Sequence, residues 1–162
     1  GIVPNRYVGR TFIKPTQKQR DEAVQLKLNV VAELIRDKRI VVVDDSIVRG
    51  TTTRGKMQQL RRAGAKEIHL RISCPPIRHA CYFGIDFPDP SKLIATGRTV
   101  EQIRDFLGVD SLHYLSMHGL LSCVSRPSDN YCTACFSGDY RLPVDRPVSK
   151  LSLEKYQMKM FS

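Results

Sequence analysis

A strand, a short loop and a helix follow one another at residues 40–63, and this order constrains the fold more than any other feature. Residues 40–43 are an unbroken run of β-branched residues, which is typical of a strand buried on both faces of a parallel sheet. The loop leads into a predicted helix at 51–63, which Gly64 ends. Alternating apolar residues in "KEIHLRIS" at 66–73 then predict a second strand. The segment therefore predicts a right-handed βαβ unit within an α/β fold.

The N-terminal part of the chain carries weaker structural signals. Residues 1–19 are basic and have no clear period, so they predict a long loop, and long ordered loops in compact domains are usually functional. A partial apolar stripe predicts a helix at residues 21–38. Because the chain starts at Gly1 rather than Met, and its first residues lack the apolar core of a signal peptide, we expect an internal start and no secretion signal.

Beyond the second strand the pattern divides into short elements. Helices are predicted at 90–96 and 100–107, and a capping box at Thr99 marks the start of the second helix. "HYLS" is expected to be a further strand, and "MHGLLSCV" a helical turn or two. We interpret 1–125 as one domain and 126–162 as a cysteine-containing segment with a polar tail.

Composition narrows the range of partners. The 162 residues include 26 Lys and Arg against 16 Asp and Glu, and a net charge of +10 suits nucleic acid, anionic membrane surfaces or small phosphorylated ligands. The basic residues are dispersed, aromatic residues make up only 7% and Trp is absent, so nucleic-acid binding is not favoured. No long apolar run predicts a membrane span. The odd count of five cysteines favours a reduced, cytoplasmic setting.

The loop after the first strand has the chemistry of an anion site. The backbone N–H groups of residues 46–52 and the N-terminus of the next helix supply partial positive charge, and hydroxyls add donors. Gly50 lets the backbone approach a ligand closely. Gly50, Gly55 and Lys56 also have the spacing of a nucleotide-triphosphate P-loop, but Met57 stands where that motif has a hydroxyl for Mg²⁺. We therefore expect Gly55 and Lys56 to be ordinary helix residues.

Two adjacent carboxylates, Asp44 and Asp45, stand directly before this loop. Carboxylates accept hydrogen bonds from vicinal sugar hydroxyls and assist Mg²⁺ coordination. A ligand with its 5-phosphate in the loop would place its ribose hydroxyls beside the two acids. Alternation along a strand sends neighbours to opposite faces, which leaves open that one Asp only caps the loop. Their position at the C-terminal edge of a strand, where open α/β sheets bind ligands, favours a functional pair.

Four segments in this order carry a resemblance to a known family. "VVVDDSIVRGTT" resembles the 5-phosphoribosyl-1-pyrophosphate (PRPP) motif of type I phosphoribosyltransferases. With "NRYVGRTFI" before it and "CYFGID" and "CTACFSGDY" after it, residues 1–140 resemble the amidophosphoribosyltransferases. The resemblance implies a Rossmann-like parallel sheet that is incomplete at its N-terminus. It implies the C-terminal part of a glycosyltransferase that makes 5-phosphoribosylamine and pyrophosphate from PRPP and glutamine-derived ammonia in purine (IMP) biosynthesis.

The resemblance also implies roles for individual residues. Asp44 and Asp45 would hold the ribose hydroxyls and take part in a Mg²⁺ site. Residues 1–19 would form a flexible active-site loop in which Arg10 stabilises pyrophosphate. The 5-phosphate would be bound by Ser46, Ile47, Val48, Arg49, Gly50, Thr51 and Thr52, and an ammonia channel would be lined in part by Tyr7 and Phe12. Many relatives have Lys where this chain has Pro4, so one pyrophosphate contact is not carried over.

The "CTAC" motif has several chemical interpretations. A lone C-x-x-C fits zinc, thiol redox chemistry or an iron–sulfur cluster, although its place in a late loop argues against redox chemistry. The resemblance implies a 4Fe–4S cluster bound by Cys81, Cys132 and Cys135, with a fourth ligand upstream of this chain. Cys74 and Cys123 match no ligand position, and we interpret Cys123 as a small core residue.

The resemblance further implies partners and missing parts. The glutaminase half, which supplies ammonia, is expected upstream, so the chain alone is not expected to catalyse transfer. A homo-oligomer inhibited by purine nucleotides is also implied. Two alternatives stay open: another PRPP-dependent phosphoribosyltransferase, and a non-catalytic regulator that senses PRPP or nucleotides.

Overall fold

The computed structural model describes residues 2–4, 28–85 and 89–143. The chain forms two small sheets. In the first, β1 (Ile2–Pro4) pairs antiparallel with β2 (Leu28–Val30). Of the loop predicted at 1–19, only residues 2–4 are described, and there the prediction is wrong because they form β1. Of the helix predicted at 21–38, residues 21–27 lie outside the described residues. Within the described part of 21–38 the helix prediction is wrong at β2, and only α1 (Ala32–Ile35) is helical.

The main sheet consists of three parallel strands in the order of the chain. β3 (Arg39–Asp44) pairs with β4 (Glu67–Ile72), which pairs with β5 (Ser111–Tyr114). The parallel α/β architecture and the βαβ unit predicted from the sequence are confirmed. The strand expected at "HYLS" begins two residues earlier, at Ser111.

Two helices cover one face of this sheet. α2 (Thr51–Arg62) connects β3 to β4, and α3 (Val100–Leu107) precedes β5. The predictions for both helices are confirmed, and so is the capping box at Thr99, whose backbone N–H donates to the side chain of Gln102 at 2.9 Å. The core lies between helices and sheet and includes the fully buried side chains of Met57, Leu60, Ile68, Leu70, Ile103 and Leu107.

The other face of the sheet is open among the described residues, which corrects one prediction. Ile40 and Val42 pack into the core, but Val41 and Val43 are 64% and 72% exposed. The β-branched run therefore forms a strand buried on one face only in the described part of the chain. The reason is that α2 and α3 pack on the same side, so the alternate side chains of β3 receive no cover from them.

The segment after β4 is mostly irregular, with short helices. The helix predicted at 90–96 is wrong: a 3₁₀ turn covers only Pro90–Lys92, and Leu93 leaves it in an extended conformation. The chain then continues to α4 (Met117–Ser122), a 3₁₀ turn at Ser128–Asn130 and α5 (Ala134–Ser137). No helix in the described ranges is long and apolar enough to cross a membrane.

Candidate functional site

The phosphate loop (residues 46–52) crosses the C-terminal edge of the main sheet and leads into α2. Ile47 is 2% exposed and fixes the loop to the core, whereas Thr51 and Thr52 are exposed. The first backbone N–H of α2 that bonds within the helix belongs to Arg54, which donates to the carbonyl of Gly50 at 2.8 Å. The N–H groups before it are those that a helix N-terminus offers to a ligand. The first turn contains no acidic residue that would neutralise them.

Gly50 is required at its position for two reasons. Its φ of 76° lies in the left-handed region that disfavours side chains. A Cβ added there would overlap Ile94 Cδ1 and lie 3.3 Å from Phe106 Cε1. The loop therefore turns directly against α3 and the segment before it, and this close packing positions the start of α2.

The brace segment (Leu93–Ala95) packs against the phosphate loop and forms a hydrogen bond with it. Its three side chains are buried, and the N–H of Ile94 donates to the carbonyl of Val48 at 2.8 Å. The helix predicted at 90–96 would not have made this contact. The apolar run "LIA" between a Pro-containing turn and Gly97 was the available signal for a buried segment.

The two acids differ in their surroundings. Asp44 is half-buried, and its Oδ1 accepts a hydrogen bond from the N–H of Asp45 at 3.2 Å. Its Oδ2 lies 3.1 Å from Nζ of Lys56 on α2. Asp45 is exposed and accepts a hydrogen bond from Oγ of Ser46 at 3.1 Å. The acids and the phosphate loop thus form one continuous polar edge, as the sequence indicated, but the contact to Lys56 was not foreseen.

The P-loop alternative does not fit this geometry. Gly55 and Lys56 lie inside α2, as expected, and Met57 is buried in the core with 1% exposure. Lys56 is directed to a carboxylate of the protein. The "GK" pair therefore belongs to the helix and does not form a phosphate-binding turn.

Three cysteines lie in one region beside the phosphate loop. Cys81 and Cys135 pack with the loop residue Val48 against a small apolar cluster centred on Ile77 and Leu93. Cys132 is exposed. We call Cys81, Cys132 and Cys135 the cysteine group. Partial burial raises the pKa of the Cys135 thiol, and the neighbouring sulfurs of Cys81 and Cys132 raise it further.

The cysteine group was also tested as a metal site. Among the described residues, no group of three or more Cys, His, Asp or Glu side chains is arranged to hold a metal ion. The backbone around it is well held, because the N–H groups of Arg78 and His79 both donate to the carbonyl of Cys135 at 3.0 Å. The thiols suit a soft metal or an iron–sulfur cluster chemically, but their present arrangement is not an assembled site.

The chain was compared with known proteins. No protein-family model matches it. The amidophosphoribosyltransferase of Methanothermobacter thermautotrophicus is 51% identical over 150 residues, which cover 93% of this chain and 32% of the relative. The Archaeoglobus fulgidus enzyme is 53% identical over 146 residues, covering 89% and 32%. The chloroplastic enzyme of Glycine max is 51% identical over 157 residues, covering 96% and 28%. The chain is homologous to the amidophosphoribosyltransferases.

Solved structures agree with this homology. The glutamine PRPP amidotransferase of B. subtilis, solved with ADP and GMP, superposes with a TM-score of 0.72 at 48% identity, over 87% of this chain and 32% of that one. A structure described as the allosteric regulatory enzyme of purine biosynthesis gives a TM-score of 0.75 at 45% identity, over 91% and 33%. The chain thus spans about a third of the length of the relatives it matches.

The homology confirms the fold class and the family resemblance drawn from the four segments. The roles of single residues stay predictions. Tyr7, Arg10 and Phe12 lie outside the described residues. The division into 1–125 and 126–162 also stays a prediction.

One thiol near the site was set aside by sequence reasoning. Cys74 follows β4 and packs against the main core. Burial raises the pKa of its thiol to about 11, and the nearby charges of Asp45 and of Cys135 contribute in the same direction. Cys74 therefore lies between the acid pair and the cysteine group as a protonated, unreactive thiol at neutral pH. Cys123, which we interpreted as a core residue, is exposed, so that prediction is wrong.

Proposed function

We propose that this chain supplies the PRPP-binding part of an amidophosphoribosyltransferase. The reaction would join ammonia to C1 of PRPP and release pyrophosphate, giving 5-phosphoribosylamine. One observation carries the proposal: the acid pair, the phosphate loop and the N-terminus of α2 form a single polar edge, in a chain about half identical to curated amidophosphoribosyltransferases. The relatives' full length would supply the remaining parts.

The two ends of the ligand would be bound by different groups, hydrogen-bond donors at the phosphate and carboxylate acceptors at the ribose. The 5-phosphate would accept hydrogen bonds from the backbone N–H groups of the phosphate loop and from the exposed hydroxyls of Thr51 and Thr52. The ribose hydroxyls would donate to the carboxylates of Asp45 and Asp44. Because phosphate is repelled by carboxylate, this polarity orients the sugar with its hydroxyls toward the end of β3.

Magnesium would be the metal at the acid pair. Carboxylate oxygens fit this hard cation, which usually keeps several waters and is bound by one or two carboxylates together with the substrate's phosphates. When bound, Mg²⁺ would neutralise the charge that develops on departing pyrophosphate. Asp45, as the exposed acid, would provide the more accessible oxygen.

Outside the described residues, we propose that Arg10 contacts pyrophosphate and that Tyr7 and Phe12 line the path of ammonia. Closure of residues 5–19, the part of the predicted loop that lies beyond β1, would exclude water from the reacting carbon. We also propose a glutaminase part as the source of ammonia, a homo-oligomeric assembly, and a cytoplasmic location. Purine nucleotides are proposed as inhibitors, since ADP and GMP accompany the B. subtilis relative.

We further propose that the cysteine group binds a 4Fe–4S cluster, with a fourth ligand from outside this chain. The support is that the three thiols share one region, two of them partly buried beside an apolar cluster. Such a cluster would link the irregular segment that follows β4 with helix α5. Anaerobic iron and sulfide analysis of the complete protein tests this, and stoichiometric zinc without sulfide would contradict it.

The PRPP site is tested by titrating the complete protein with PRPP and Mg²⁺. We expect the double variant Asp44→Asn, Asp45→Asn to lose at least tenfold in affinity, because two hydrogen-bond acceptors to ribose become weaker and the metal loses its charge partners. Asp129→Asn is the control, since its exposed carboxylate bonds only to Ser128 among the described residues. Unchanged affinity in the double variant would refute the site.

A regulator that senses PRPP without catalysis would bind it equally well. Release of pyrophosphate that depends on both PRPP and ammonia therefore has to be measured in parallel. Such release in the wild type, and its loss in the double variant, would support transfer chemistry. Tight PRPP binding without pyrophosphate release would favour the regulator.

A further inference from the structure

Among the described residues, Lys56 is the charged side chain that contacts the acid pair and to which the proposed function gives no role. It lies in the second turn of α2, and its Nζ is 3.1 Å from Oδ2 of Asp44. The two side chains are 26% and 27% exposed, so the pair is partly buried. An ion pair in this setting is less screened than one at the open surface. The contact therefore influences what else can bind Asp44.

The carboxylate of Asp44 is already engaged on both oxygens. Oδ1 accepts the N–H of Asp45, and Oδ2 faces Lys56. Its backbone carbonyl accepts the N–H of Ser73, which fixes the strand end to β4. By contrast, the Oδ2 of Asp45 accepts no hydrogen bond from any residue in the described ranges. The two acids are therefore unequal within the described part of the chain: Asp44 is paired with a lysine, whereas Asp45 is contacted by no cationic side chain there.

An ammonium group and a divalent cation compete for the same carboxylate oxygen. Each is attracted by the negative charge of that oxygen, and the attraction of either one is weaker while the other is bound. The lysine side chain can leave, because its four-carbon stem is flexible and it is already 26% exposed to solvent. Lys56 thus has a bound position at Asp44 and a flexible side chain that is partly exposed to solvent.

We propose that Lys56 is an internal counter-ion of Asp44, displaced when a divalent cation binds the acid pair. The lysine neutralises Asp44 in the ligand-free protein, and cation binding requires that it move away. This inference rests on the proposed function for the identity of the ligand, Mg²⁺ with PRPP. It makes Lys56 a positioning residue that sets the cation concentration at which the site fills.

The test measures binding of Mn²⁺ alone to the complete protein by electron paramagnetic resonance, with Mn²⁺ as a probe for Mg²⁺. Lys56→Met removes the charge and keeps the length of the side chain. Arg62→Met is the matched control, because it removes one charge from the exposed side of the same helix, six residues or about 9 Å further along. Lys56→Arg restores the charge, and Lys56→Met with Asp44→Asn removes both partners.

We expect Lys56→Met to tighten Mn²⁺ binding about three- to tenfold, because Asp44 no longer has an internal partner. Arg62→Met should change it less than twofold, Lys56→Arg should resemble the wild type, and the added Asp44→Asn should abolish the gain. Lys56→Gln serves as a second neutral variant should Lys56→Met fold poorly. No gain in the neutral variants, weaker binding, or a gain that survives Asp44→Asn would overturn the proposal.

The same proteins are then titrated with PRPP, which separates this inference from the proposed function. A gain in Mn²⁺ affinity that needs Asp44, without PRPP binding in any protein, supports the counter-ion and refutes the PRPP site. PRPP binding that needs the acid pair, with Mn²⁺ affinity unchanged by Lys56→Met, refutes the counter-ion and supports the PRPP site.

Discussion

Two glycines of the same segment, Gly50 and Gly55, show how differently one residue type is used. Gly50 has a positive φ and no room for a side chain, because Ile94 and Phe106 press against it. Gly55 lies inside α2 with nothing near the place of an added Cβ. A helix interior disfavours glycine, so the first residue is needed and the second is a weak point.

The two glycines therefore make a matched prediction. Gly50→Ala should destabilise the protein by about 1–3 kcal/mol, owing to backbone strain and overlap with Ile94, and should weaken PRPP binding. Gly55→Ala should stabilise it by about 0.5–1 kcal/mol. Urea unfolding of the complete protein, followed by circular dichroism, measures both. Equal stability of the two variants would contradict the assigned geometry of the loop.

Asp110 is a second residue whose role is local and testable. Its Oδ2 accepts the N–H of Ile68 at 2.7 Å and faces Nη2 of Arg61 at 2.7 Å, so it joins β4, α2 and the start of β5. The backbone hydrogen bond from Ile68, followed by the contact with Arg61, lowers the pKa of this carboxyl. A lowered folded-state pKa stabilises the protein at all pH values above the unfolded-state pKa.

The prediction for Asp110→Asn is a loss of stability that depends on pH. At pH 7 the variant should be less stable than the wild type by about 1 kcal/mol, since a charge-assisted pair becomes neutral. The difference should shrink as the pH falls below about 4, where the unfolded-state carboxyl takes up its proton. It should be lost once the pH has fallen past the lowered pKa of the folded-state carboxyl. Thermal unfolding between pH 3 and pH 7 tests this, with Asp129→Asn as control. A difference independent of pH would contradict the assignment.

At the scale of elements, the brace segment joins two parts of the proposed site. Ile94 bonds to the phosphate loop, whereas Leu93 packs in the apolar cluster that contacts Val48, Cys81 and Cys135. The loop and the cysteine group are therefore neighbours through one buried side chain. A disturbance at either one is expected to reach the other, because close-packed interiors transmit small displacements.

This packing predicts a joint effect of Leu93→Ala. The side chain is 2% exposed, so its truncation should cost about 2–5 kcal/mol, as is usual for a buried leucine. We expect weaker PRPP binding and a lower iron content in the same protein. Leu34→Ala, at a position 64% exposed, is the control and should change neither. Loss of iron with unchanged PRPP affinity would show that the two parts are not coupled through Leu93.

At the scale of the whole molecule, the main sheet has one face that the described helices leave exposed. Val41 and Val43 are exposed on β3, which is the edge strand of the three described strands. Exposed apolar side chains on an unpaired edge favour association with other chains. We therefore expect other chains to associate at β3.

The 162-residue chain, produced alone, should therefore self-associate. Val41→Lys with Val43→Lys should make it more monomeric, because charge on an edge strand opposes pairing. Analytical ultracentrifugation measures the change, and the control is Leu142→Lys, which is 63% exposed but lies far along the chain from the sheet. A wild-type chain that is monomeric at all concentrations tested would contradict this expectation.

The sequence by itself determined the local structure of the site. The β-branched run, the acid pair, the hydroxyl-rich loop and the following helix are contiguous, so hydrogen bonds and alternation between near neighbours are sufficient to predict them. The resemblance to amidophosphoribosyltransferases was likewise predicted from four short segments, and the identity of about half of the aligned residues confirms it. α3 was predicted for the same reason, since its capping box is a pattern of adjacent residues.

Only the tertiary structure decided which distant residues meet. The pair of Lys56 and Asp44, the contact of Ile94 with Gly50 and the packing of the cysteine group on Val48 join segments 12 to about 87 residues apart, and no local pattern encodes such contacts. The same holds for the exposed face of β3 in the described part of the chain. A β-branched run indicates that a strand is apolar on both sides, but the positions of the helices decide which side is covered.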